Sequence, residues 1–167
     1  MKKIPCSVGI LTFNSEETLT RCLDSLSGFS EIIICDGGST DKTIEIAGAY
    51  DAKVIKQDSL FKNADNTVKN FSGVRNQLLD AAFYNWFMFI DSDEYISPLL
   101  AVEIWGVLNK SNLKPAVFDI PRKYVKGGLV IDCATTYPNY QTRFFNKKAV
   151  NRFVRNVHEK IELKDGY

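Results

Sequence analysis

Glu31-Ile32-Ile33-Ile34-Cys35-Asp36-Gly37-Gly38-Ser39-Thr40-Asp41 is the stretch that decides the fold. Its first half is a continuous apolar, β-branched run of the kind buried on both faces of a parallel sheet. It then ends abruptly at an aspartate, two glycines and a helix-starting Ser-Thr-Asp, with a helix expected over about 42–49. Working back, Ile4 to Thr12 reads as a strand ending at Phe13-Asn14, and Leu19, Cys22, Leu23 and Leu26 follow at helical spacing as far as Gly28. Asn14 suits the N-cap, with Glu17 three residues on, and Gly28 suits the left-handed residue past the C-terminus. Working forward, Val54-Ile55 makes a third strand, a longer helix is expected from about Thr67 to Ala82, and Trp86 to Ile90 forms a strand ending at Asp91-Ser92-Asp93-Glu94. Ser97-Pro98 then opens another helix, with Ser as the cap and Pro in the first turn. This alternation predicts an α/β fold, a mostly parallel sheet with helices on both faces.

From about Pro115 the pattern changes. Ala116 to Ile120, Tyr124 to Ile131 and Gln141 to Phe145 read as strands separated by glycines and prolines, so a smaller β-rich C-terminal part is expected. There is no internal repeat, low-complexity tract or long linker, and residues 1–167 read as one domain. The 167 residues, 45% hydrophobic and 25% charged, suit one soluble globular core. The net charge of +1 conceals a split. Residues 1–109 hold 9 Lys/Arg against 15 Asp/Glu, a balance of −6, whereas residues 110–167 hold 12 against 5, a balance of +7. An acidic part joined to a basic one suggests a site that handles a cation together with an anionic ligand, although solvated surface charge gives the same arithmetic.

The most apolar run, around Phe83 to Ile90, is broken by Asn85 and falls far short of the ~20 residues a membrane span needs. The start has two lysines but no apolar signal region. Cys6, Cys22, Cys35 and Cys133 show no CxxC spacing, which fits buried free thiols in a reducing cytoplasm. There is neither GxGxxG nor GxxxxGK[ST], and no motif that reads nucleic acid.

Open parallel sheets bind ligands beyond the carboxyl ends of their strands. Thr12 with Asn14, Asp36, the loop after Ile55, and Asp91 with Asp93 all lie at such ends. Asp91 and Asp93 would present two carboxylates on one side of an extended chain. That suits a hard cation such as Mg²⁺ or Mn²⁺ shared with ligand phosphates. Asp36 could accept a hydrogen bond from a base or a ribose while Gly37 and Gly38 let a flat ring come close. Arg75 shares a helix stripe with Phe71, Leu79 and Ala82, where a guanidinium needs a partner, a neighbouring carboxylate or a ligand phosphate. His158 is the lone histidine, which is more often structural than a ligand.

Thr12-Phe13-Asn14-Ser15-Glu16-Glu17-Thr18-Leu19, Asp36 to Thr43, Gly73-Val74-Arg75-Asn76 and Phe89 to Glu94 together resemble family 2 glycosyltransferases of the GT-A fold, a Rossmann-like fold. Tyr137-Pro138-Asn139-Tyr140-Gln141-Thr142-Arg143-Phe144-Phe145, followed by Val157-His158-Glu159, is similar to the branch that includes lipopolysaccharide core glucosyltransferases. The resemblance implies inverting transfer from a nucleotide diphosphate sugar, a UDP-sugar foremost, to a hydroxyl of a glycan or glycolipid. Residues 1–109 would bind the donor and residues 110–167 would form the acceptor side. Thr12, Asn14, Glu16, Asp36, Gly37, Arg75, Asp91, Ser92 and Arg143 would serve the nucleotide sugar. Asp93, Asp91 and His158 would hold Mg²⁺ or Mn²⁺.

Asn139 stands where relatives carry the acid that deprotonates the acceptor, which leaves Asp132 and Glu159 as candidate bases. The alternative is a non-catalytic or weakly active nucleotide-sugar-binding module. The segment after His158 is short for the family, so part of the acceptor site or a membrane-contacting tail is expected to lie beyond it. The expected setting is cytoplasmic, with the basic C-terminal part in peripheral contact with an anionic membrane surface.

Overall fold

A computed structural model describes residues 2–111, 113–131 and 138–166; Asp132, Cys133 and Tyr137 lie outside them. The elements run β1 (Ile4–Thr12), α1 (Glu16–Ser25), β2 (Phe29–Asp36), α2 (Thr43–Ala49), β3 (Lys53–Lys56), α3 (Phe71–Ala81), β4 (Trp86–Asp91) and α4 (Pro98–Leu108). They continue with β5 (Val117–Arg122), β6 (Tyr124–Lys126), β7 (Leu129–Ile131), β8 (Asn139–Asn146), β9 (Val150–Val154) and β10 (Lys160–Leu163). The main sheet has the order β3-β2-β1-β4-β8-β5. The first four strands are parallel, β8 runs antiparallel to β4, and β5 is antiparallel to β8. Strands from the basic part therefore extend the sheet that the acidic part begins.

Both faces of the sheet are covered, which is why its central strands are apolar without alternation. On one face Val8, Ile10, Ile34, Met88 and Ile90 pack with Leu19, Cys22 and Leu23 of α1 and Ile104 of α4. On the other, Ile33, Cys35, Phe87 and Phe89 pack with Leu78 and Leu79 of α3 and with Phe153 of β9. Phe144 joins the first cluster and Phe145 the second, as neighbours in a strand must. A Cβ at Gly9 would come within 2.8 Å of the Phe87 ring, so the absence of a side chain there lets α3 and β4 close over β1. Among the described residues no helix is long and apolar enough to cross a membrane.

The local expectations need four corrections. The residue that caps α1 is Ser15, not Asn14, and its side chain makes no capping bond. Asn14 instead sits at φ 48° and its side chain reaches across to the second loop. The α1 helix ends at Ser25 and Gly28 does not adopt a left-handed φ. The α3 helix starts at Phe71 rather than Thr67, because the Asn70 side chain accepts a hydrogen bond from Gly73 N–H (2.8 Å) and fixes the cap there. Tyr124 to Ile131 is not one strand but a hairpin, β6 and β7, turned at Gly127-Gly128, where both residues have positive φ. The β9–β10 hairpin was not anticipated at all.

Candidate active site

The carboxyl ends of β1, β2 and β4 lie side by side, with Thr12 opposite Asp36 and Leu11 opposite Asp91 in register. The Asp36 carboxylate accepts from Thr12 Oγ1 (2.8 Å) and Ser39 Oγ (2.6 Å) on one oxygen, and from the backbone N–H groups of Gly38 (2.7 Å) and Ser39 (2.8 Å) on the other. Burial opposes ionisation, but these donors outweigh it and hold the carboxyl below its ordinary range. All four lone-pair positions are thus occupied. Asp36 shapes its own loop rather than offering the free acceptor expected from the sequence.

The same loop is sewn to the first one. Asn14 N–H donates to Ser39 Oγ and Asn14 Oδ1 accepts from Thr40 N–H, both at 2.8 Å, while the Glu16 carboxylate accepts from Lys42 N–H (3.0 Å). Ser15 and Ser92 share a hydroxyl hydrogen bond of 3.0 Å that ties the β1 and β4 loops together. Gly37 is closely approached, since a Cβ would lie 3.1 Å from the Phe13 ring and 3.3 Å from Gln57 Oε1. Buried Lys62 donates to the Gly37 carbonyl, and the buried Gln57 Oε1 has no partner among the described residues. Neither Gln57 nor Lys62 was singled out from sequence. Both come from the loop after Ile55, which the sequence marks as a strand end without distinguishing any residue in it.

Beyond β4 the character changes. Asp91 Oδ1 accepts from Arg75 Nη2 (2.9 Å) and Asp91 Oδ2 from Arg143 Nη2 (3.1 Å), so the carboxylate bridges two buried guanidiniums. Burial disfavours its charge, yet the two arginines prevail and pull its pKa down to about 2. Both guanidiniums lie over the Phe89 ring, at 4.4 and 4.8 Å from its centroid. Arg75 Nε also donates to Glu159 Oε1, and Glu94 Oε1 accepts from Arg143 (3.2 Å) and Arg122 (2.7 Å). Glu94 Oε2 in turn accepts from Asp91 N–H (2.9 Å). Of the partners left open for Arg75, the structure supplies the carboxylates. Glu94 and Arg122 were missed from sequence; Glu94 was visible only as the last letter of the Asp-Ser-Asp-Glu turn.

Arg75, Asp91, Arg143, His158, Glu159 and Lys160 are among the walls of an open cavity of about 600 Å³. The proposed metal set does not assemble. Among the described residues no three His, Cys, Asp or Glu side chains converge to hold an ion, because Asp91 is committed to its arginines. Asp93 is exposed and its carboxylate makes no hydrogen bond among the described residues, while its backbone carbonyl accepts from Arg21 (3.2 Å). His158 is exposed at φ 52° on the cavity wall. Asn139 begins β8 opposite Arg122, and Asp132 lies outside the described residues. Cys6, Cys22 and Cys35 are buried free thiols; burial pushes Cys22 and Cys35 up to about 12 and Cys6 higher still.

The chain is 30% identical to the TPR repeat-containing protein Synpcc7942_0270 of Synechococcus elongatus over 93% of its own length and 35% of that protein's. It is 34% identical to the putative glycosyltransferase EpsH of Bacillus subtilis, over 55% of this chain and 27% of that one. It therefore spans about a third of the first relative's length and about a quarter of the second's. Among solved structures it superposes on S. aureus TarS 1-349 in complex with UDP-GlcNAc with a TM-score of 0.52 and 27% identity, covering 62% of this chain and 31% of that one. The ligand-free TarS 1-349 matches in fold over 86% of this chain and 47% of its own, with a TM-score of 0.56 at 22% identity. The family model for glycosyl transferase family 2 matches residues 7–160, and the chain belongs to that family.

Proposed function

We propose that this chain transfers a sugar, with inversion, from a UDP-sugar to a hydroxyl of a glycan or glycolipid such as a lipopolysaccharide core. The observation that carries the reading is the strand-end edge itself. A prefolded loop around Asp36 lies beside a β4 terminus whose Asp93 is exposed and unengaged. The similar TarS structure in complex with UDP-GlcNAc supports a nucleotide-sugar donor. Thr12, Asn14, Glu16, Asp36 and Gly37 form a rigid cradle for the base and ribose. Arg75 and Arg143 act on the donor through Asp91, which they hold in one orientation next to Ser92.

One exposed carboxylate fits a hard divalent cation that fills the rest of its shell with phosphate oxygens and water. Asp93 would hold it, without Asp91, and Mg²⁺ or Mn²⁺ there would neutralise charge on the departing diphosphate. The acceptor oxygen attacks the anomeric carbon as the bond to UDP breaks, and its proton passes to a base. Of the candidate bases, Glu159 lines the cavity and among the described residues has only Oε1 engaged, by Arg75, so Oε2 is the oxygen that takes the proton. Asn139 has no group that can accept it. The basic acceptor side would meet a glycolipid at the cytoplasmic face of an anionic membrane.

The test is thermal unfolding with and without UDP and Mn²⁺, paired with a donor-turnover assay. UDP with Mn²⁺ should raise the native chain's melting temperature, and Asp93→Ala should remove the metal-dependent part. No shift in the native chain sinks the donor site. Glu159→Gln should keep the shift and lose transfer. Asn139, and the engagement of Glu159 by Arg75, favour a second reading as a binding module without turnover, which a full UDP shift with no transfer or hydrolysis of donor would establish.

A further inference from the structure

In the cluster around Phe89 three guanidinium donors meet no acceptor among the described residues, although carboxylates surround them. Asp91 has both oxygens engaged by arginines, and Glu94 has Oε1 shared by two arginines and Oε2 taken by a backbone N–H. Yet Arg75 Nη1, Arg143 Nε and Arg143 Nη1 are buried without a partner among the described residues. Both residues are only 5% exposed, and both line the 600 Å³ cavity. Lys160, on another wall, makes no ion pair with a described carboxylate. Buried guanidinium N–H groups without acceptors are costly, and a planar fork of such donors matches an oxyanion.

We propose that this cavity is an oxyanion subsite that binds a phosphate or carboxylate group carried by the acceptor, so that the chain glycosylates an anionic sugar or glycolipid. This rests on the donor reading above only for the word acceptor; the anion subsite itself does not. Position in the sheet separates its Arg122 wall from the donor, while its Arg75 and Asp91 wall, at the end of β4, adjoins the donor's diphosphate. Arg122 is on β5, four strands along from β2, which carries Asp36. At ~4.8 Å per strand that is about 19 Å, so a nucleotide seated on the Asp36 loop brings its diphosphate toward β4, short of Arg122. The Phe89 ring lies within 4.4 and 4.8 Å of the two guanidinium carbons and lines the same cavity.

The experiment titrates inorganic phosphate and, separately, glucuronate into the chain by calorimetry, first alone and then with UDP and Mg²⁺ saturating. Phosphate or glucuronate should bind in both conditions, and the tighter of the two names the acceptor's anionic group. Arg122→Gln and Lys160→Gln each remove one charged donor from a solvent-open wall and should weaken that binding about tenfold while leaving UDP affinity unchanged. Absence of binding by either anion, indifference of both variants, or displacement of the anion by UDP overturns the proposal; displacement would assign these cations to the donor's diphosphate. Anion binding that the variants weaken, in a chain that fails to bind UDP, leaves the subsite standing and removes the donor reading. UDP binding without anion binding does the reverse.

Discussion

The two ends of one strand edge solve the problem of placing charge in opposite ways. At β1 and β2 a single carboxylate, Asp36, is surrounded by neutral donors, and every one of its lone-pair positions is filled. At β4 and β8 three arginines face Asp91, Glu94 and Glu159, and donors remain over. The first is a finished shape, rigid before any ligand arrives; the second is a balance of charges that a ligand can complete. A cradle for an uncharged base suits the first, and recognition of an anion suits the second.

The largest expected effect comes from breaking the charged end. Arg75→Met keeps the volume over Phe89 but leaves Asp91 and Glu159 without their shared cation. Removing one partner of a mostly buried pair should cost about 3 kcal/mol, read as a lower urea midpoint at unchanged slope. A loss near zero would mean the cluster is solvated and carries no balance to complete.

Next comes the neutral end. Asp36→Asn replaces an acceptor-only group with one that must turn an NH₂ toward donors. The expected loss is about 2 kcal/mol, with UDP binding lost as the Gly37-Gly38-Ser39 loop relaxes. If UDP still binds while stability falls, the loop is structural and the nucleotide is read elsewhere, with the buried Gln57 carbonyl the nearest unpartnered acceptor.

How much of this was readable in sequence differs between the two ends for the same reason. The Asp36 end is built from residues close in the chain, so the apolar run Ile32 to Cys35 and the Gly-Gly-Ser that follows announce both strand and loop. The charged end joins Arg75, Asp91 and Arg143, which are 16 and 52 positions apart, and no local pattern encodes which carboxylate a guanidinium meets. The same holds for β9, where only Val150 and Phe153 are buried and Asn151 and Arg152 are exposed, so periodicity alone does not mark a strand. The Asp91 and Asp93 pairing was legible as a strand end, but not the difference between the two: the arginines engage Asp91 and leave Asp93 exposed.

The smallest effect separates the two ends by pH and salt. Both Asp36 and Asp91 have folded-state pKa values below the ordinary carboxylate value, so each contributes stability that is present above the unfolded value and lost as pH falls through the folded one. For Asp91 the window runs from 3.8 down to about 2. Because its side chain is 38% exposed, water screens the ion pairs and the contribution is about 1 kcal/mol. Asp91→Asn should flatten the stability profile across that window, measured by urea unfolding from pH 5 to pH 2. Raising the salt should also shrink the Asp91 contribution, since it comes from arginine charges, and spare the Asp36 contribution, since that comes from neutral donors. Equal salt sensitivity in Asp91→Asn and the native chain would show that the difference between the two ends is one of geometry and not of charge.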